Sequence, residues 1–347
     1  MSLVFILLSV VFQKRNDISV CLAVVYLFIL SLIFGLRYGV GIDYYAYENY
    51  FYDQHDTFRM EVGYSLVNYY LRELGFHFYS VTLLTCFATN YLALIGGWLY
   101  GLRGVYLNLS ILLFVSSMMF MSLNGIRQAI AVMLVYAALP LLLKGKSASY
   151  LLSACFASLF HVSAVAMTGM VIVRRLLCSY LSVVVLSISF LIVLLFVIFY
   201  DLNNALYYLA LHAPYYSKYA ELIHSAKASG IGLGIILKIV VAFFIVFIFL
   251  FHNRKYKVEC LLVSLFIIGL AFNVAATTNF LWGRPGMYFY IFEILVLPMV
   301  VKNIYDRTLR GLVFLLVSAY ALSFIVANLF LNVDALQLRY QSVFGLP

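Results

Sequence analysis

Residues 148–173 read ASYLLSACFASLFHVSAVAMTGMVIV, an apolar run long enough to cross a bilayer once but with His161 in its middle. About 20 apolar residues span roughly 30 Å of hydrocarbon, and an ionisable ring halfway across is costly unless it is paired, hydrated or put to use. The segment either crosses once or enters the bilayer and turns back near His161. The flanking charges decide between the two, because loops rich in Lys and Arg stay on the cytoplasmic side. A single crossing would put Arg174, Arg175 and the loop with Arg254, Lys255 and Lys257 outside. A turn at His161 puts every basic loop inside. The inner set is then Lys14, Arg15, Arg103, Lys144, Lys146, Arg174, Arg175, Arg254, Lys255, Lys257, Lys302, Arg307 and Arg310, against Asp17, Glu259 and Asp306. We therefore expect a broken or re-entrant helix pair at 148–173, a form tolerated where irregular backbone is buried or lines a wet cavity.

Working outward, the chain of 347 residues is 66% hydrophobic and 10% charged, with a mean hydropathy of +1.05. Further spans are expected near 2–12, 18–36, 79–100, 105–122, 125–143, 179–200, 231–251, 259–279, 287–301 and 311–331. A transmembrane barrel would instead show short alternating segments. The expectation is an all-α polytopic membrane protein of about 10–12 helices. It forms a single transmembrane domain over 1–347, with 37–78 and 201–230 as external loops. Met1–Phe12 lacks a basic start and a small-residue cleavage site, and reads as a short first span. The five cysteines, Cys21, Cys86, Cys155, Cys178 and Cys260, form no CxxC pair and read as packing residues. The net charge of +9 is the signature of an inner leaflet and needs no nucleic acid to explain it. No Walker-type glycine loop is present, so ATP-driven work is not expected.

The polar residues gather at the outer side of this topology. Arg37-Tyr38-Gly39-Val40-Gly41-Ile42-Asp43 ends a long apolar run. Arg37 and Asp43 read either as an ion pair or as an anion-binding arginine with a carboxylate able to accept a hydroxyl proton, and the two are compatible. Asn124 is a candidate N-cap, with Arg127 in the following first turn, where free amides and a guanidinium suit a phosphate. A snorkelling arginine is the plainer alternative. His161 is either a satisfied core histidine or a proton-transfer group. Arg284, between Trp282-Gly283 and Pro285-Gly286, reads as a third cation just outside a helix start. Lys238 and Glu293, inside spans, are expected to pair with each other or with nearby polar groups. Tyr44, Tyr47, Tyr215 and Tyr216 lie in the two tyrosine-rich loops, where rings serve either an interfacial belt or the apolar faces of a sugar. No metal-ligand set and no cofactor motif appear.

Taken in order, Arg37-x-Gly-x-Gly-x-Asp43 with Tyr47, Glu61-Val62-Gly63-Tyr64, Asn124-x-x-Arg127-Gln128, Phe160-His161-x-Ser163 and Arg284 resemble the EpsG-like branch of the Wzy-type bacterial polysaccharide polymerases. Ile42 and the short first span depart from that pattern without removing a chemical group. The resemblance implies transfer of a growing glycan on undecaprenyl diphosphate onto the next lipid-linked repeat unit, for O-antigen or capsule. It implies a bacterial cytoplasmic membrane, with the site facing the periplasm or exterior. It also implies membrane lipid as surroundings, and a flippase and a chain-length regulator as partners. In that reading Arg37, Arg127, Arg284 and Asn124 hold the diphosphate and the four tyrosines hold sugar. Asp43 is the expected base, and His161 the positioning or phosphate-contacting group. An O-antigen ligase and a lipid-linked oligosaccharide flippase are the alternatives. The first would bring a larger outer domain, and the second a basic cavity through the membrane core.

Overall fold

Apolar segments in lipid must satisfy every amide and carbonyl internally, which leaves helices as the form for separate runs of this length. The computed structural model of the protein bears this out over the residues it describes, 1–53, 60–199, 207–208, 211–212, 230–252, 257–331 and 340–344. The helices are α1 (Ser2–Val11), α2 (Asn16–Gly35), α3 (Tyr44–Tyr52), α4 (Val62–Glu73), α5 (Phe78–Leu99), α6 (Gly104–Phe114), α7 (Phe120–Asn124), α8 (Ile126–Leu143) and α9 (Ser147–Ser158). They continue as α10 (Met170–Leu177), α11 (Tyr180–Phe199), α12 (Leu233–His252), α13 (Lys257–Ala275), α14 (Gly283–Tyr290), α15 (Glu293–Lys302) and α16 (Arg307–Val326). Among the described residues, nine helical stretches are long and apolar enough to cross a membrane.

The chain divides into two compact units, Met1–Val171 with Leu297–Pro347, and Ile172–Val296. In the first, α2 lies against α5 through polar contacts. Thr82 Oγ1 donates to the Gly35 carbonyl at 2.6 Å, and Asn90 Nδ2 donates to Ser31 Oγ at 2.8 Å. Lipid offers no hydrophobic drive between helices, so small and hydroxyl-bearing residues supply the contact. The span Gly104–Asn124 is 83% buried, the most enclosed of the nine. A π-helical turn at Val115–Met119 joins α6 to α7, and Asn328 Nδ2 reaches the Ser116 carbonyl beside it at 3.4 Å. In the second unit, Ser264 Oγ of α13 donates to the Leu177 carbonyl at the end of α10.

The segment around His161 is broken as expected. Helix α9 stops at Ser158, the chain turns through 159–161, and a 3-10 stretch at Val162–Gly169 leads back into α10. Tyr150 Oη donates to the Met167 carbonyl at 2.8 Å, which requires the two limbs to run side by side in opposite directions. The turn therefore lies at one end of the first unit together with residues 36–53, 60–78 and 124–125. The other end holds Gln13 and Asn16 beside Gly104, the Lys302–Gly101 contact, and Lys144 and Lys146 after α8. Tyr150→Phe removes this second donor while the Met167 carbonyl keeps the Met170 amide, so the loss should be about 0.5–1.5 kcal/mol. The check is a lower melting temperature in detergent at unchanged membrane yield; an unchanged value would mean the hairpin holds without this bond.

Candidate functional site

The site end is organised by Arg37, whose guanidinium is wholly buried. Nε donates to the Val40 carbonyl at 3.1 Å, Nη1 to Phe34 at 2.7 Å and Nη2 to Leu123 at 3.1 Å, while Nη1 also lies 3.6 Å from Cys86 Sγ. Phe34 and Leu123 stand at the ends of α2 and α7, where carbonyls lack helical partners and a cation is favoured. The expected roles of Arg37 change accordingly. Its nitrogens serve backbone carbonyls and not Asp43, so the expected Arg37–Asp43 ion pair is replaced by carbonyl contacts. Asn124 is also not the cap of α8, a position held by Gly125 without a side-chain bond. Its Oδ1 accepts the Ile42 amide at 2.6 Å instead. Gly41 makes this approach possible: its φ is 108°, and a Cβ there would come within 2.8 Å of the Leu123 carbonyl. On the far side of the same loop, the Tyr38 amide donates to Gln341 and the Val343 amide to Leu36, an antiparallel bridge centred on Arg37 and Ser342.

The tyrosine-rich stretch after this loop is helix α3, not an extended loop. Tyr44, Tyr47, Tyr50 and Phe51 follow a three-to-four-residue period, and all four are buried against Tyr64, Phe78, Val81, Ile126 and Ile130. Tyr44 meets Phe78 edge-on at 5.3 Å, and Tyr47 meets Tyr64 at 5.6 Å. Burial pushes the hydroxyls of Tyr44, Tyr47 and Tyr64 up, so all three stay neutral. The expected sugar-stacking faces of Tyr44 and Tyr47 are thus core surface. The exposed rings of this stretch are Tyr38, Tyr45 and Tyr52. Asp43 precedes α3, exposed and making no side-chain cap bond. Tyr215 and Tyr216 lie outside the described residues.

Three side chains distant in sequence converge beside this aromatic core. Glu61 Oε2 receives Arg127 Nη1, and Glu61 Oε1 lies 2.8 Å from His161 Nδ1. Each of the three side chains is about a fifth exposed, at 18%, 25% and 17% for Glu61, Arg127 and His161. Gly63 sets the approach: its amide donates to the Leu159 carbonyl at 2.7 Å, and a Cβ would press on that oxygen at 2.9 Å. Burial alone would raise the Glu61 carboxyl. The His161 hydrogen bond and the Arg127 charge outweigh it and hold the group down at about 2. The ionised carboxylate therefore stabilises the site above the ordinary value of 4.5, a contribution lost as pH falls through about 2. Such a carboxylate only accepts, so Nδ1 of His161 is the donor in this contact and Nε2 is left facing away from Glu61. Arg127 Nε is buried and finds no hydrogen-bond partner among the described residues, and the guanidinium carbon lies 5.7 Å from the Tyr47 ring centre. Sequence reasoning quoted Glu61 but gave it no role. The available signal was a carboxylate two residues before a glycine, in a chain with 13 acids in all.

The second unit is described by itself. Arg284 is the second residue of α14, so it lies within the first turn and not before it, and it is exposed. Lys238 Nζ sits 4.4 Å from the Tyr290 ring centre, with the charge of Glu293 acting on it. Among the described residues, no three His, Cys, Asp or Glu side chains are grouped to hold a metal.

Fold and site together define a multi-pass helical membrane protein with a carboxylate-bridged arginine and histidine at one end of its bundle. A family model described as the EpsG family matches residues 19–342, and the chain belongs to that family. Membership supports a polysaccharide-polymerase-like role with glycosyltransferase-like activity. No curated protein and no solved structure matches the chain.

Arg37 is testable apart from any reaction. An ammonium cannot serve carbonyls in three directions, so Arg37→Lys should lose about 3–5 kcal/mol. The measure is thermal stability in detergent. A lysine variant as stable as the parent but blind to diphosphate would return Arg37 to an anion-binding role.

Proposed function

We propose that the chain is a repeat-unit polymerase of the bacterial cytoplasmic membrane, moving a growing glycan from undecaprenyl diphosphate onto the next undecaprenyl-diphosphate-linked repeat unit. The observation that carries this reading is the meeting of Arg127 and His161 on one carboxylate at the polar end of an apolar bundle. Glycosyl transfer from a lipid diphosphate needs a cation where the anion leaves and a base where a hydroxyl attacks. The acceptor oxygen bonds to the anomeric carbon, and the bond from that carbon to the diphosphate breaks with its electron pair going to the diphosphate. The hydroxyl proton passes to the base. In this mechanism Arg127 stabilises the departing anion and His161 Nε2 takes the proton. The geometry favours His161 over Asp43 as base, reversing the order expected from sequence. The ring is oriented by a second group, and Asp43 lies exposed at a helix start.

The same proposal turns the site end of the first unit towards the periplasm or cell exterior. Support comes from charge: Arg103, Lys144, Lys146 and Lys302 sit at the opposite end, as cytoplasmic loops require. Single-cysteine labelling from outside, in a background without native cysteines, should modify position 45 and spare position 145. The reverse pattern would invert the orientation.

Turnover should follow the side chains. In a purified-enzyme assay on lipid-linked repeat units, His161→Gln should lose about 100-fold or more. Arg127→Lys should lose most polymerisation with the protein still inserted, and Arg284→Lys is read in the same assay. Asp43→Asn should keep most turnover. If Asp43→Asn abolishes turnover and His161→Gln does not, the base assignment is reversed. In cells, loss of the chain should leave single repeat units on the surface lipid, whereas loss of all surface sugar would point to a flippase.

A further inference from the structure

Glu61 does more than complete an ion pair, because its two oxygens are divided between groups with different tasks. Oε1 faces the imidazole and Oε2 faces the guanidinium. The guanidinium is only partly satisfied by this arrangement: Nη1 reaches the carboxylate and the Tyr47 hydroxyl also hydrogen-bonds to the group, while Nε is buried with no hydrogen-bond partner among the described residues. Buried donors are almost always bonded. A fork with one arm held and another buried nitrogen open is suited to a second acceptor with several oxygens. A diphosphate is such an acceptor, and it carries more charge than one carboxylate.

We propose that Glu61 is the positioning residue of the site and an internal competitor for Arg127. It gives the guanidinium up to substrate diphosphate and keeps His161. This rests on reading the site as one that releases a lipid diphosphate. In the resting protein the carboxylate holds Arg127 away from lipid headgroups and other anions. When a diphosphate arrives, Arg127 turns from Oε2 to the phosphate oxygens, and Oε1 goes on holding Nδ1–H of His161. The imidazole therefore stays aimed while the cation is exchanged. The other groups around this exchange are Tyr47 of α3 and Tyr64 of α4, both neutral, with Asp43 and Arg37 acting at longer range.

The exchange makes a prediction that a purely structural carboxylate does not. Removing the competitor should tighten anion binding while turnover falls. The full-length protein in nanodiscs is titrated calorimetrically with inorganic pyrophosphate, and turnover is followed on lipid-linked repeat units. Glu61→Gln should bind pyrophosphate about three- to tenfold more tightly than the parent, with kcat lowered at least tenfold. His161→Gln should bind pyrophosphate as the parent does, and Arg127→Gln should lose that binding in either background. Glu61→Asp keeps the charge but not the reach to both partners. It should tighten pyrophosphate to a smaller extent and retain part of the turnover, and it carries the test if the glutamine variant is not recovered. Weaker or unchanged pyrophosphate binding in both Glu61 variants, or full turnover in Glu61→Gln, overturns the proposal. Parent protein that binds pyrophosphate with the predicted Glu61 dependence but polymerises nothing would overturn the polymerase reading and leave the exchange standing.

Discussion

A guanidinium placed in an apolar interior must find acceptors for its donors, and Arg37 finds them in the protein's own backbone. The ends of α2 and α7 and the turn at Val40 each present a carbonyl that helix geometry leaves unpaired. One side chain thereby ties together three breaks in the backbone that would each be expensive in lipid. The position of the 37–43 loop follows from it. So does the register of Asn124 against Ile42 and the start of α3, and with α3 the aromatic floor beneath Arg127. Removal of the charge would not simply subtract a contact, because three buried carbonyls would lose their donor at once.

Glu61 works at the same end by opposite means. Arg37 is closed off among backbone carbonyls, while the Glu61 cluster keeps partial exposure and an unsatisfied nitrogen. The arginine that ties the backbone together and the one that meets the carboxylate are thus separate residues. The bridged carboxylate lets a guanidinium and an imidazole sit close together in a poorly solvated place, where the cation alone would be costly to bury.

Much of the architecture was legible from the chain. Apolar runs marked the spans because lipid leaves them one backbone form, and the break at His161 was visible as a titratable ring in mid-segment. The π-helical turn at Val115–Met119 was not, since one extra residue per turn leaves no periodic trace in a run that is apolar all round. The residues of the site were legible as types but not as orientations. Arg37 reads as an anion site until its carbonyl partners, 3 to 86 residues away, are known. Tyr44 and Tyr47 read as sugar platforms until α3 is recognised, and the spacing of Tyr44, Tyr47, Tyr50 and Phe51 held that information. Glu61 gained a role only when partners 66 and 100 residues distant met on it, a fact of tertiary structure that local pattern does not carry.

The bridge between Arg37 and Ser342 has a consequence for how the molecule is made. Residues 36–38 leave the ribosome about three hundred residues before 341–343, whose amide and carbonyl close the loop. Until then a nascent chain inserts its spans in order, with the loop edge open. The loop beside the Glu61 cluster is consequently closed only after some three hundred further residues have been made, so its edge stays open through most of the insertion of the spans that precede them.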